Sequence, residues 1–201
     1  VILGKDEKLL FGQKHLEDML SDLNFNIHYR SFWQVNQGSM ENILAAIRAK
    51  LKPRSHVIDA YCGIGAIGLS LAASIESIVG IEELSEAVHN ARENCTINGI
   101  GNAQFMIGKT EQLLPDLLKN QNADCIILDP PRGGVEESAL WSIRSAGIKD
   151  ILYLSCSPMS LARDLKVLLS DAKYTLHSIS PFDMFPNTWH IEILAHLKLQ
   201  K

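Results

Sequence analysis

From Gly38 onward the chain alternates two rhythms of apolar residues. Met40, Ile43, Leu44, Ile47 and Leu51 recur at helical spacing, and Pro53 stops that helix. Short apolar runs of strand length then alternate with amphipathic stretches. Residues 56–59, 77–81, 103–106, 125–128 and 151–154 predict strands. Helices are expected through residue 73 and over 85–98, 111–118, 136–146 and 160–169. Five strand–helix units favour a parallel sheet with helices on both faces. Residues 174–179 and 192–199 read as two further strands, joined by the loop 182–190 with no helix between them. That ending predicts a hairpin, and with it an antiparallel C-terminal edge strand. The fold class is therefore α/β: a Rossmann-like, doubly wound, mostly parallel sheet. Upstream the rhythm is absent, apart from a strand-like alternation over 25–29. Residues 1–37 are expected to be the remnant of an upstream or central domain packed on the domain at 38–201.

Composition changes this picture little. The 201 residues are 46% hydrophobic and 21% charged, enough for a sizeable globular core. No apolar run reaches membrane-spanning length, and no signal-peptide pattern opens the chain. The first residue is Val1 rather than Met, the expectation for a fragment or a processed product. Cys62, Cys95, Cys125 and Cys156 lie about thirty residues apart without a C-x-x-C pair. That spacing fits neither a zinc nor an iron–sulfur site and argues for a reducing, cytoplasmic setting. The net charge of −4 does not favour a nucleic-acid partner, which usually meets a basic surface.

The first chemical motif is the segment from Val57 to Gly68, a strand, a glycine turn and a helix start. Gly63, Gly65 and Gly68 have the spacing of a dinucleotide fingerprint. Glu82, closing the next strand, suits the hydroxyl pair of a ribose. NAD and S-adenosylmethionine both carry such a ribose. Asp59 separates them: a carboxylate ahead of the glycines repels a pyrophosphate but suits the ammonium end of a methionine moiety. The bland alternative is that Asp59 caps the turn and Glu82 caps a helix.

The second motif is Leu154-Ser155-Cys156-Ser157-Pro158, a cysteine at the carboxyl end of a strand. Ligands of open α/β sheets bind at that edge. Asp129-Pro130-Pro131-Arg132 closes another apolar run, and Phe185-Pro-Asn-Thr-Trp-His-Ile-Glu192 follows near the end. A thiol, an acidic strand-end loop and a later carboxylate suggest covalent catalysis with a separate base. A lone cysteine is more often core than catalyst, and only its position beside Asp129 reverses that expectation. Cys62, Cys95 and Cys125 are expected to be packing residues, as is His190.

Together with Phe32-Trp-Gln-Val-Asn36, these motifs occur in an order that resembles the RNA uracil-5 methyltransferases, which make 5-methyluridine in transfer RNA and 23S ribosomal RNA. The resemblance covers about residues 25–201. It implies a class I methyltransferase fold, S-adenosyl-L-methionine as cofactor and RNA as partner, without a metal in this chain. It places the nucleophile at Cys156 and the proton-removing base at Glu192. Cofactor contacts carry over to Gln34, Tyr61, Glu82 and Asp129, beside Asp59, Gly63 and Gly65 of the glycine turn. Phe32 would stack on a splayed base and Arg132 would hold RNA phosphate. A monomer is expected. Two positions depart from the pattern: Ala66, where a small or polar residue is common, and Lys109, where an acidic residue or asparagine is common. The rival readings are a cytosine-5 methyltransferase, an adenine amino methyltransferase, an NAD-dependent oxidoreductase and a truncated RNA-binding remnant without activity.

Overall fold

A computed structural model describes residues 8–120 and 122–200. Two strands come first, β1 (His15–Leu20) and β2 (Leu23–His28), paired antiparallel as a two-stranded sheet. The helix α1 (Gln37–Arg48) follows, then β3 (His56–Ala60), α2 (Ala66–Leu71), β4 (Ser77–Glu82) and α3 (Ser85–Ile97). The alternation continues with β5 (Ala103–Ile107), α4 (Thr110–Asn120), β6 (Cys125–Leu128), α5 (Glu137–Ala146), β7 (Asp150–Ser155) and α6 (Pro158–Leu168). Two strands close the chain, β8 (Tyr174–Phe182) and β9 (Glu192–Leu199).

Seven strands form the main sheet in the order β5-β4-β3-β6-β7-β9-β8. The five from β3 to β7 are parallel, as the alternation predicts. The final hairpin is present, but β9 inserts beside β7 and leaves β8 at the edge. The reversed strand is thus the last in the chain and the second from last in the sheet. Burial explains the order: β9 is covered along most of its length, whereas β8 exposes residues along most of its length, as an outer strand can.

Alternate side chains of the sheet feed two cores. Val57, Ile127, Leu152 and Leu154 pack with α1, α2 and α3 on one face. Ile58, Ile126, Ile151 and Tyr153 pack with α4, α5 and α6 on the other. This three-layer arrangement leaves the carboxyl ends of β3, β6 and β7 side by side at one edge, where loops rather than helices cover them.

The β1–β2 hairpin rests on α3 through a row of asparagines. Asn90, Asn94 and Asn98, one helical turn apart, accept hydrogen bonds from the backbone N–H of His28, Asn26 and Asn24 at 2.7, 2.8 and 2.9 Å. Asn94 and Asn98 also donate to the carbonyls of Asn26 and Asn24. Side chains of a helix thus stand in for a neighbouring strand and satisfy the outer edge of β2. The hairpin in turn holds the segment leading into α1. Asp18 accepts from Trp33 Nε1 at 2.9 Å and Gln37 Nε2 at 2.6 Å, and the Trp33 ring packs on Phe25. Asn36 caps α1 and donates to the Met184 carbonyl at 3.1 Å. Residues 31–36 are therefore fastened between the hairpin and the loop ahead of β9.

Candidate active site

A cavity of about 1000 Å³ opens at the carboxyl edge of the main sheet. It lies at the upper end of the range usual for small-molecule sites, about 300–1,000 Å³. Phe32, Gln34, Asp59, Tyr61, Gly63, Glu82, Asp129, Arg132, Cys156 and Glu192 all line it. Residues spread over 160 positions of sequence meet because each lies at a strand's end, in the loop just after one, at the start of one, or in the clamped 31–36 segment. Gly65 is the exception among the residues singled out by sequence. It caps α2 in the left-handed region at φ 81°, and a Cβ there would lie 2.9 Å from the Phe105 ring. Its role is close packing of the turn on the sheet rather than a place in the wall.

One half of the cavity is built around the glycine turn. Asp59 is fully buried at the end of β3, and its Oδ2 accepts from the Gly68 N–H at 3.1 Å. Its Oδ1 is buried without a hydrogen-bond partner among the described residues. Asp59 therefore does cap the turn, with one oxygen, and offers the other to a bound donor. Burial pushes its carboxyl up to about 7, against the pull of the Gly68 hydrogen bond. Glu82 accepts from the Gly63 N–H at 3.1 Å and the Leu84 N–H at 2.8 Å. Both oxygens are thus oriented by backbone, and each keeps a lone pair for a ligand hydroxyl. Tyr61 sits at φ 65°, a left-handed conformation unusual for a bulky side chain. Burial raises its phenol to about 12, with the nearby Glu111 carboxylate adding to the effect. The phenol stays neutral and presents a ring wall. Gln34 Oε1 is buried without a partner among the described residues, a second free acceptor in the lining.

The other half gathers the reactive groups. Ser155, the last residue of β7, pairs with Ile193 of β9. Cys156 follows directly on Ser155 and Glu192 directly precedes Ile193, so both leave this strand pair at the same end and line the cavity. The reversal of β9 is what matters here: a parallel neighbour would bring its far end, not its first residue, to the thiol. Asp129 follows β6, its N–H on the Ala60 carbonyl, and Arg132 comes three residues later in the same loop.

Burial pushes the Cys156 thiol up; the Glu192 carboxylate adds to this, and the Arg132 guanidinium opposes it. Glu192 is raised to about 7 by burial, again against Arg132, and accepts no hydrogen bond among the described residues. Asp129 is raised to about 8 by burial, then by Glu192 and Asp59. Perturbed carboxyls clustered in one cleft are the usual sign of a working site. The arrangement offers a partly covered thiol, a carboxyl poised to take a proton near neutrality, and one cation able to tune both.

The other residues singled out by sequence lie around these groups or in the core. Cys62 and Cys125 are buried, and no cluster of three His, Cys, Asp or Glu arranged for a metal occurs among the described residues. His190 packs edge-on against Phe185 and carries no hydrogen bond to Glu192. Lys109 and Ala66, the two departures, both line the cavity. Glu111 and Glu136 were missed by sequence reasoning: both border Tyr61, yet each sits at a helix start where an acidic residue is unremarkable.

Known proteins share this fold. The model of the tRNA (uracil-5-)-methyltransferase family matches residues 1–200. The chain belongs to that family. Among curated relatives, an uncharacterized RNA methyltransferase of Clostridium acetobutylicum is 41% identical over 98% of this chain. One from Halalkalibacterium halodurans is 40% identical over 100%. In both cases the match spans 44% of the relative, so the chain is less than half the length of these family members. Among solved structures, the Pyrococcus abyssi tRNA (uracil-54, C5)-methyltransferase in complex with S-adenosyl-L-homocysteine superposes with a TM-score of 0.82. It is 29% identical and is matched over 93% of this chain and 45% of its own. The uracil-5 family thus supplies the fold that the alternation of strands and helices predicts.

Proposed function

We propose that this chain is the catalytic part of an RNA methyltransferase that transfers a methyl group to C5 of a uracil in transfer or ribosomal RNA. The observation that carries the reading is that Cys156, just after β7, and Glu192, at the start of the adjacent β9, line one cavity, close enough for the carboxylate to act on the thiol. Family membership and the S-adenosyl-L-homocysteine bound to the Pyrococcus relative support S-adenosyl-L-methionine as the cofactor. The residues present fit it. The unpartnered Asp59 Oδ1 suits its ammonium group, the Glu82 carboxylate its ribose hydroxyls, and the Tyr61 ring its adenosine face. Gln34 and Asp129 complete the walls. When bound, the cofactor supplies an electrophilic methyl group on a sulfonium.

The chain's own groups do the rest. Uracil C5 is a poor nucleophile, so the Cys156 thiolate adds to C6, forming an S–C bond and moving the C5–C6 electron pair into an enolate. That enolate carbon takes the methyl group, with the sulfonium bond broken and a neutral thioether left behind. Glu192 then removes the C5 proton, the double bond re-forms, and the thiolate departs. Glu192 passes that proton to solvent, so one proton is released per methyl group transferred and the thiolate and carboxylate are regenerated. Phe32, 68% exposed at the cavity mouth, is placed to stack on the extruded base, and Arg132 to hold a phosphate.

RNA carrying 5-fluorouridine tests this reading. Fluorine at C5 cannot leave as a proton, so the methylated adduct stays bonded to the protein. With S-adenosylmethionine present, a band stable to denaturing electrophoresis is expected, and Cys156→Ala should abolish it. A band that survives Cys156→Ala would reject the proposed nucleophile. Absence of adduct from every transfer and ribosomal RNA, with the cofactor bound, would reject uracil C5 as the target of this chain.

A further inference from the structure

Behind the reactive half of the cavity lies a buried group for which the reaction scheme has no use. Asp164, on α6, is fully buried and meets three separate parts of the chain. Its Oδ2 accepts from the Tyr153 phenol of β7 at 2.6 Å and from the Val135 backbone N–H at 2.8 Å. Its Oδ1 accepts from Arg163 Nε at 2.8 Å, and a terminal nitrogen of Arg163 donates to the Gly133 carbonyl at 2.7 Å. Gly134, between these two anchor points, has φ 81°, and a Cβ there would lie 2.5 Å from Asp164 Oδ2. Only glycine lets the loop settle this closely on the carboxylate.

The three parts joined at Asp164 bear on catalysis. Tyr153 lies three residues before Cys156 on the strand that ends at the thiol. Helix α6 begins two residues after it. The loop held at Gly133 and Val135 is the one that carries Arg132 into the cavity. We propose that Asp164 is a positioning residue, a buried clasp that fixes the Arg132 loop against the Cys156 strand and helix and so sets the charge the thiol experiences. The proposal deepens the methyltransferase reading, since it concerns the same thiol.

The groups facing Cys156 are Glu192 from β9 and Arg132 and Asp129 from the clasped loop. Asp129 is anchored separately, through its N–H on Ala60, so loosening the clasp acts first on Arg132. Withdrawing a guanidinium leaves the partly covered thiol with carboxyl neighbours alone. Its ionisation then moves to higher pH. Asp164→Asn keeps the volume and shape but removes the charge that gathers Arg163 and Tyr153.

Alkylation of the free protein by iodoacetamide over a pH series reads this directly, with each cysteine-containing peptide resolved by mass spectrometry. It needs neither RNA nor cofactor, so its outcome is independent of whether uracil is the substrate. The midpoint for Cys156 is expected to rise in Asp164→Asn and in Arg132→Gln. The double variant should rise no further than Arg132→Gln alone, because the clasp acts through that arginine. Rapid alkylation of the buried Cys62 and Cys125 would reveal unfolding. In that event Gly134→Ala, which forces the loop off an intact clasp, is read in the same way with the same expected rise. An unchanged midpoint in a folded variant, or shifts that add in the double variant, would overturn the role.

Discussion

Glu192 is ambiguous in chemistry until its surroundings are weighed. An exposed carboxylate would be ionised throughout the neutral range and too weak a base to matter much. Burial raises this one to about 7, while Arg132 keeps it from rising further. It is thus half ready to accept a proton near neutral pH. Its substitution should separate the two halves of the reaction. In Glu192→Gln the thiol can still add and the methyl group can still transfer, but the C5 proton has no acceptor. Ordinary uridine-containing RNA should then give a covalent complex that persists in denaturant, where the parent protein gives product. A variant that makes neither adduct nor product would mean that Glu192 acts before methyl transfer, and the assignment of the base would be wrong. In the parent, the rate of proton removal should climb as pH rises through about 7, the range in which Glu192 loses its proton.

At the scale of elements, the α3 asparagines bear the most on whether the cavity keeps its shape. Asn94 is fully buried and satisfies the Asn26 N–H. Asn94→Ala would strand that donor and take a partner from the carbonyls of Asn26 and Ile64, a loss of about 1–3 kcal/mol per unsatisfied group. Urea unfolding should show this as a lower midpoint, with a smaller change for Asn98→Ala at the more exposed end of the row. Equal effects would mean that the row is not read by burial. None of this pairing was legible in the sequence. The spacing of Asn90, Asn94 and Asn98 is visible, but no local rule ties a helix face to a strand more than sixty residues upstream. The strand β1 was missed for a related reason. Its hairpin turns on Ser21 and Asp22, both in the left-handed region, where Asn-Gly or Asp-Gly is the familiar signal. The turn is held instead by Glu41 of α1, which accepts from the Ser21 N–H at 2.6 Å and the Ser21 hydroxyl at 2.9 Å. By contrast the five parallel strands, and with them the positions of Asp59, Glu82, Asp129 and Cys156, follow from local periodicity alone. What periodicity cannot state is the place of β9 in the sheet, and that place brings Glu192 to Cys156. Asp164 escaped notice because an acidic residue after an arginine on a helix reads as a surface pair.

For the whole molecule, the cavity sets a balance between site and stability. Asp59, Asp129 and Glu192 ionise near pH 4 in an unfolded chain but are raised to about 7, 8 and 7 by burial in the fold. Across that interval the folded protein holds protons that the unfolded chain has released, so stability falls as pH rises. Carboxylates lowered by partners, such as Asp124 beside Lys149, give up their contribution only below about pH 4, outside the interval. His196, lowered by burial, works in the opposite sense, but only below its ordinary value of 6.5. The window from pH 6.5 to 8 is therefore governed by the three site carboxyls. The melting temperature of the ligand-free protein should decline across it, and Asp129→Asn, which is neutral at every pH, should flatten the decline. S-adenosylmethionine should flatten it too, because an ammonium group against Asp59 favours the charged carboxylate. Its binding at pH 6.5 should then release protons, measurable by calorimetry in buffers of different ionisation enthalpy. A melting temperature that rises from pH 6.5 to 8, or a slope untouched by Asp129→Asn, would show that these carboxyls are already ionised in the free fold. The cavity would then be wetter and less strained than its burial implies.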